Sequence, residues 1–221
     1  FASTVQRLDA AVRLGVFGCG EQLPPERELA AKLGVSRVNL REAIAALREA
    51  GMVQTRRGRG GGTTVIYAGS AAQPMDQAEL RRRRPQLVDA LDYRRVVEPG
   101  AAYLAATREL TADQRDWLAG SEAAVRVADP GPASRIADSR LHLALATLSG
   151  SPMLIEAVTR VQSSLDSLLS RAPGLPGAIE HSHREHQAVV AAVLAGDPLA
   201  ARTAMEQHCD TTAALLRPLL E

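Results

Sequence analysis

The stretch Leu23–Val65 constrains the fold more than any other part of the chain, because helical, turn and extended patterns follow one another there directly. A first short helical run begins behind two prolines and ends at Gly34. Ser36 is an N-cap for a second helix, which runs to about residue 50. Two extended runs, 52–55 and 63–66, then flank a segment of arginines and glycines. This order predicts a winged helix-turn-helix.

The second of these helices carries two different stripes. Leu40, Ile44 and Leu47 form an apolar stripe that can dock the helix, and Arg37 and Arg41 lie on a neighbouring face. An arginine face on a helix that follows a tight turn suits the major groove of DNA. The glycines of the wing let the backbone approach phosphate, and its arginines neutralise it. A solvated helix with a basic loop is the competing interpretation, but all four parts at these lengths favour DNA binding.

Charge and composition divide the chain in the same place. Up to residue 66 there are ten Lys+Arg against six Asp+Glu, and the remainder has sixteen against nineteen. A basic first module and an acidic second module are expected when only the first meets DNA. We therefore predict a DNA-binding domain at 1–67, a linker at 68–76 and a second domain at 77–221. No segment has the length of a membrane span or the pattern of a signal peptide, which favours a cytoplasmic protein.

The second domain has no convincing strand. Alanine and leucine recur at helical spacing between Gly/Pro turn signals. They predict helices at roughly 77–107, with a break near Pro85, and at 111–127, 133–149, 152–171, 177–195 and 198–217. Short turns between helices favour an antiparallel bundle with an aliphatic core, since aromatic residues make up only 3% of the chain. The fold class is therefore mainly α.

All five histidines fall in this second domain. Asp138 and His142 are i,i+4 on one predicted helix, while His186 and His208 are in phase with the apolar faces of two others. One carboxylate and three imidazoles suit a first-row divalent ion such as Zn²⁺, Ni²⁺, Mn²⁺ or Fe²⁺. A single inward histidine is more often a hydrogen-bonded core residue, but three with an aspartate are costly to bury unpaired. His183 is a reserve ligand, and His181 lies off this face.

The first domain resembles the DNA-binding domain of the GntR family of bacterial transcription regulators. The resemblance rests on LPPERELA at 23–30, GVSR at 34–37, REA at 41–43, GMV at 51–53 and GRG at 58–60. Together, this resemblance and the arginine face predict a set of DNA contacts. The set is Arg27, Ser36, Arg37, Val38, Asn39, Arg41, Arg57 and Gly58.

The second domain is similar to the FCD ligand-binding domain. The features that match are YRRVVEP at 93–99, the Asp138/His142 pair, Glu185 with His186, and His208. The resemblance implies that Asp138, His142, His186 and His208 hold a divalent metal ion, either zinc, nickel or manganese. It also implies that Arg94 faces a small organic acid effector, because the arginine fork matches a carboxylate.

These predictions describe a ligand-responsive bacterial DNA-binding transcription regulator, not an enzyme. We expect a homodimer on a palindromic double-stranded operator, with dimer contacts from the second domain that include Leu87, Val88 and Leu91. Two alternatives stay open. The metal itself could be the signal, or an Asp/His site with open positions could activate water in a metallohydrolase fused to a DNA-binding module.

Overall fold

The computed structural model describes residues 2–56, 58, 61–68, 77–169 and 178–217. Two compact units make up the chain, 1–70 and 71–221. The first is a winged helix-turn-helix and the second is all-helical in its described part, which confirms the predicted fold class. Most of the predicted linker, 69–76, lies outside the described residues. Among the described helices, none combines the length and apolar character that a membrane crossing requires.

The first unit contains three helices and a two-stranded sheet. Its elements are α1 Ala2–Arg13, α2 Glu26–Leu33, α3 Arg37–Glu49, β1 Val53–Arg56 and β2 Gly62–Val65. Gly34 ends α2 in the left-handed conformation with φ 63°. The Ser36 hydroxyl accepts from the Asn39 backbone N–H at 3.1 Å and caps α3. Both turn predictions are therefore confirmed.

The two strands form the wing. β1 and β2 are antiparallel, with Val53 opposite Val65 and Arg56 opposite Gly62. Residues 20–23 also run beside β2, since the Leu23 N–H donates to the Thr63 carbonyl at 2.8 Å. This third extended segment carries no sequence signal, because four residues before a double proline have no alternating pattern.

The core of the first unit is aliphatic and links all of its elements. Its buried residues include Leu8, Val12, Leu29, Leu40, Ile44, Leu47, Val53 and Val65. The apolar stripe of α3 is thus buried against α1 and α2, and the opposite face of α3 is left to solvent.

The second unit contains six helices within its described residues. They are α4 Gln77–Ala106, α5 Ala112–Val127, α6 Pro132–Leu148, α7 Pro152–Leu169, α8 Ala178–Ala195 and α9 Pro198–Leu216. The predicted bounds agree within two residues. The predicted break near Pro85 is wrong, because α4 continues through it. A proline removes one intrahelical hydrogen bond, and the exposed surroundings of Pro85 let water replace it.

Helix α4 is central to this unit and packs against α6, α7, α8 and α9. Its Leu87 and Leu91 are buried inside the unit, with 6% and 3% of their surface exposed. Their burial within one chain leaves them little surface for a partner, whereas Val88 is half-buried. The dimer contact itself stays a prediction. Tyr93 and Val96 are the exposed apolar residues on the middle of α4.

Candidate functional site

Three histidines from three helices meet inside the second unit. His142 lies on α6, His186 on α8 and His208 on α9, and each is at most 2% exposed. One ring nitrogen from each lies within 4.8 Å of the others. The ring centroids are separated by 5.3, 5.2 and 4.4 Å. The sequence-predicted histidines are therefore brought together by the fold.

Helical periodicity explains why they meet. His186 shares a face of α8 with the buried Val190 and Val193, and His208 follows Met205 on the buried face of α9. Packing of these apolar faces around α4 carries the imidazoles into the same interior region. His183 is half-buried and is not part of this cluster. The side chain of His181 is outside the described part of the structure.

Asp138 stands at the rim of the cluster. Its carboxylate oxygens lie 3.4 Å from His186 Nε2 and 3.8 Å from His142 Nε2. One third of the side chain is exposed, so this carboxylate connects the buried imidazoles with solvent. The structure thus places Asp138 beside two of the three predicted partners.

Two buried glutamates lie behind the histidines. Glu185 Oε2 is 3.0 Å from His208 Nδ1, and its other oxygen accepts from the Thr211 hydroxyl at 2.7 Å. Glu98 Oε2 is 2.9 Å from His142 Nδ1. That contact is close but poorly aligned for a hydrogen bond. A carboxylate behind Nδ1 directs the Nε2 lone pair of the same ring toward the centre of the cluster.

Sequence reasoning did not assign these roles to the glutamates. In the sequence, Glu98 stands inside the YRRVVEP match and Glu185 stands next to His186. Helical spacing was a signal for Glu98, because it lies on the same face of α4 as Leu91 and Ala102, which are both buried. Which histidine each glutamate supports depends on helix packing, and spacing alone cannot show that.

Arg94 reaches the centre of the histidine cluster. Its Nη2 lies 2.9 Å from His208 Nε2 and 3.4 Å from His142 Nε2. Its Nε donates to Glu98 Oε2 at 2.9 Å, and both side chains are buried. Arginine has only donors, so the two Nε2 atoms accept and the protons of these rings lie on Nδ1. This tautomer matches the glutamates behind both rings.

Glu98 is held as a carboxylate. Burial alone would raise its pKa, but Arg94, then His142 and Gln162, outweigh burial and keep the pKa well below its usual range. The Gln162 amide donates to Glu98 Oε1 at 2.7 Å, and the Ser139 hydroxyl donates to Gln162 at 3.3 Å. The network therefore fixes a negative charge directly behind Arg94.

Two of the buried imidazoles, His186 and His208, are held in their neutral form. Burial lowers the pKa of His186 to about 4 and that of His208 well below 6.5, and Arg94 adds to both effects. Neutral imidazole is the form that ligates metal. The Nδ1 atom of His186 is buried and makes no hydrogen bond with any described residue. The three ring nitrogens and the Asp138 carboxylate form a donor set that fits a divalent ion.

The candidate DNA-reading surface lies on the first unit. Arg37 and Val38 are exposed at the start of α3, as is Arg27 on α2, whereas Asn39 is half-buried. The Ser36 hydroxyl is occupied by the cap, which leaves its oxygen beside the helix N-terminus. Gly58 has φ 103°, a conformation that favours glycine. The predicted contact Arg57 lies outside the described residues.

Arg41 has a partner that the sequence analysis did not foresee. Its Nε donates to Glu26 Oε2 at 2.7 Å, which joins α3 to the first turn of α2. The arginine side chain is 61% exposed. An exposed pair of this kind contributes about 0–1 kcal/mol, so it leaves Arg41 available to other partners.

A winged helix-turn-helix joined to a helical domain with a buried polar centre defines a ligand-responsive DNA-binding transcription regulator. Family models agree: residues 2–65 match the bacterial regulatory proteins of the gntR family, and residues 89–211 match the FCD domain. The chain therefore belongs to the GntR family, with an FCD domain that follows the winged domain in the sequence.

Known proteins that are similar in sequence support membership of this family. A protein of Escherichia coli (strain K12) named "Putative L-lactate dehydrogenase operon regulatory protein" is 36% identical over 200 residues, which cover 86% of this chain and 75% of that protein. The Uxu operon transcriptional regulator of the same organism is 31% identical over 211 residues, covering 88% and 77%. The solved structure of Streptococcus agalactiae GntR covers 95% of this chain and 97% of that one, at 26% identity and a TM-score of 0.50. Both E. coli relatives are named as regulators rather than enzymes.

Proposed function

We propose that Asp138, His142, His186 and His208 hold one divalent metal ion, zinc, nickel or manganese, in the FCD domain. The observation that carries this proposal is the convergence of three buried ring nitrogens within 4.8 Å. Charge supports it as well. The carboxylates of Glu98 and Glu185 lie 2.9 and 3.0 Å from Nδ1 of His142 and His208, and Asp138 lies 3.4 Å from His186 Nε2. Carboxylates around neutral imidazoles favour a divalent cation.

We further propose that the effector is a small organic acid. When bound, the ion would supply a Lewis-acidic centre for a carboxylate oxygen. Arg94 would supply the countercharge, and its planar fork can bind a carboxylate through two N–H groups. The name of the E. coli relative connects that protein with an L-lactate dehydrogenase operon, and a small hydroxy acid is of the same chemical class.

The DNA half of the proposal rests on the exposed face of α3 and on the wing. Arg37, Arg41 and Asn39 are proposed to reach base edges of a double-stranded operator. Arg27, Ser36, Arg57 and Gly58 would contact the backbone, and Val38 would make an apolar contact. Because one winged domain makes few contacts, a homodimer on a palindromic operator is expected to act in the cytoplasm. The exposed Tyr93 and Val96 of α4 support an apolar contact between subunits.

Two measurements on the purified full chain test this function. Metal content by elemental analysis should reach one ion per subunit after incubation with Zn²⁺, Ni²⁺ or Mn²⁺. Fluorescence anisotropy with operator DNA should then show an affinity that changes when a small carboxylate such as L-lactate is added to the metal-loaded protein.

The outcomes separate the alternatives. A change in operator affinity with metal alone, and none with carboxylates, would favour the metalloregulator. Absence of stoichiometric metal, together with an unmoved melting temperature in Zn²⁺, Ni²⁺ and Mn²⁺, would show that the histidines are a structural cluster.

A further inference from the structure

The guanidinium of Arg94 contacts two of the ring nitrogens that a metal ion would bind. Nη2 lies 2.9 Å from His208 Nε2 and 3.4 Å from His142 Nε2. Both nitrogens accept from it, because arginine offers only donors. An imidazole nitrogen has one lone pair in the ring plane, so it cannot accept an N–H and ligate an ion at the same time. Arg94 and a metal ion therefore exclude each other at these two rings.

We infer that Arg94 is a built-in competitor for the metal site, which closes the histidine cluster in the metal-free protein and becomes a carboxylate donor once an ion displaces it. This inference rests on the proposed function and adds an order to it. The metal must bind first, because only then are the Nη2 donors released from the rings. Metal and effector would thus be coupled through one side chain.

The anchoring of Arg94 makes such an exchange feasible. Its Nε donates to Glu98, one turn away on α4, and that pair is fully buried. The bond to Glu98 does not involve Nη2, so the displaced donors can leave His142 and His208 while the charge pair persists. Glu98 is itself fixed by Gln162. The anchor is therefore independent of the contact that the ion would break.

A purely structural role for Arg94 and a competing role predict opposite changes in metal affinity when the arginine is removed. If the arginine only held the site in shape, its removal would weaken metal binding. If it competes, its removal strengthens metal binding, because the Nε2 lone pairs become free and a nearby positive charge is lost. The direction of the change in metal affinity therefore distinguishes the two roles.

The test compares full-length variants by competition for Zn²⁺ with a chromophoric chelator. Arg94→Met alone would leave Glu98 as a buried unpaired charge and could unfold the domain. The change is therefore made in a Glu98→Gln background, where the amide oxygen can still accept from Arg94 Nε when the arginine is present. We expect Glu98→Gln with Arg94→Met to bind zinc about 10- to 100-fold more tightly than Glu98→Gln alone, the factor of one or two charged hydrogen bonds.

Two further variants complete the test. Arg95→Met, in the same background, removes a positive charge from the next residue of α4, where Arg95 pairs with Asp210 and Glu206 at the surface. Its zinc affinity should stay near that of Glu98→Gln. Arg94→Lys in the otherwise unchanged chain retains a cation for Glu98. The guanidinium uses Nε for Glu98 and Nη2 for the rings. The single nitrogen of lysine cannot occupy both positions, so zinc should also bind more tightly than to the wild type.

The results bear on the inference in distinct ways. Unchanged or weaker zinc binding in both Arg94 variants, with zinc still bound by the wild type, would overturn the competitor role and leave the proposed metal site intact. Failure of every variant and of the wild type to bind zinc, nickel or manganese would overturn the metal site, and this inference with it. Zinc binding that appears only after Arg94 is replaced would support both.

Discussion

Glu185 is the best place to test whether the histidine cluster is built for metal. Its Oε2 accepts from His208 Nδ1 at 3.0 Å, and its other oxygen accepts from Thr211 at 2.7 Å. Removing a carboxylate behind a metal-ligating histidine lowers metal affinity by about 10- to 100-fold. Glu185→Gln keeps an acceptor but loses the charge, so about 10-fold is expected from that range. Glu185→Ala leaves a buried N–H without its acceptor, so the loss should approach 100-fold.

The assay is zinc competition against a chromophoric chelator with full-length protein. Thr211→Val is the matched control, because it removes a partner of Glu185 but leaves the oxygen that faces His208. Its zinc affinity should stay near that of the wild type. Equal zinc affinity for the wild type, Glu185→Gln and Glu185→Ala would refute the reasoning that this carboxylate orients a metal ligand.

Three further predictions concern the ligands, the DNA surface and acid stability. His186→Ala should lower both the metal content and the melting temperature measured with metal, since metal bound only to the folded state stabilises it; His181→Ala should change neither. Arg41→Ala should weaken operator binding by about 1–3 kcal/mol in fluorescence anisotropy and relax the preference at one base pair. Unchanged operator affinity for both Arg41→Ala and Arg37→Ala would contradict the assignment of this face of α3 to DNA. The folded pKa of His186, about 4, lies below its ordinary 6.5, so its contribution is complete above pH 6.5 and is lost as the pH falls toward 4. Urea unfolding of the metal-free protein should show that loss, by up to about 1.4 kcal/mol per pH unit for this group, and the loss should be smaller in His186→Ala.

A last prediction concerns assembly. The fragment Met75–Glu221 should dimerise at micromolar concentration, because the winged domain has little apolar surface left once its own core is closed. Sedimentation of the fragment beside a Val96→Glu variant would check this, since a charge at that exposed site should weaken an apolar contact. A monomeric wild-type fragment would contradict the prediction.

The local chemistry of the sequence was enough for much of the fold. Gly34 ends α2 because glycine tolerates the left-handed backbone, and Ser36 caps α3 because its hydroxyl can accept a free N–H. The inward direction of His186 and His208 followed from helical periodicity, since each is in phase with apolar neighbours that must be buried. These features depend on residues within one or two helical turns.

Contacts between helices were decided only by the tertiary structure. Spacing along α4 did not show that Leu87 and Leu91 face the interior while Tyr93 and Val96 remain exposed. Nor did it show that Arg94 reaches His208, which is 114 residues away in the sequence. The physical reason is that helix periodicity gives each residue a direction around its own axis, whereas the partner it meets depends on how neighbouring helices are packed and rotated against it.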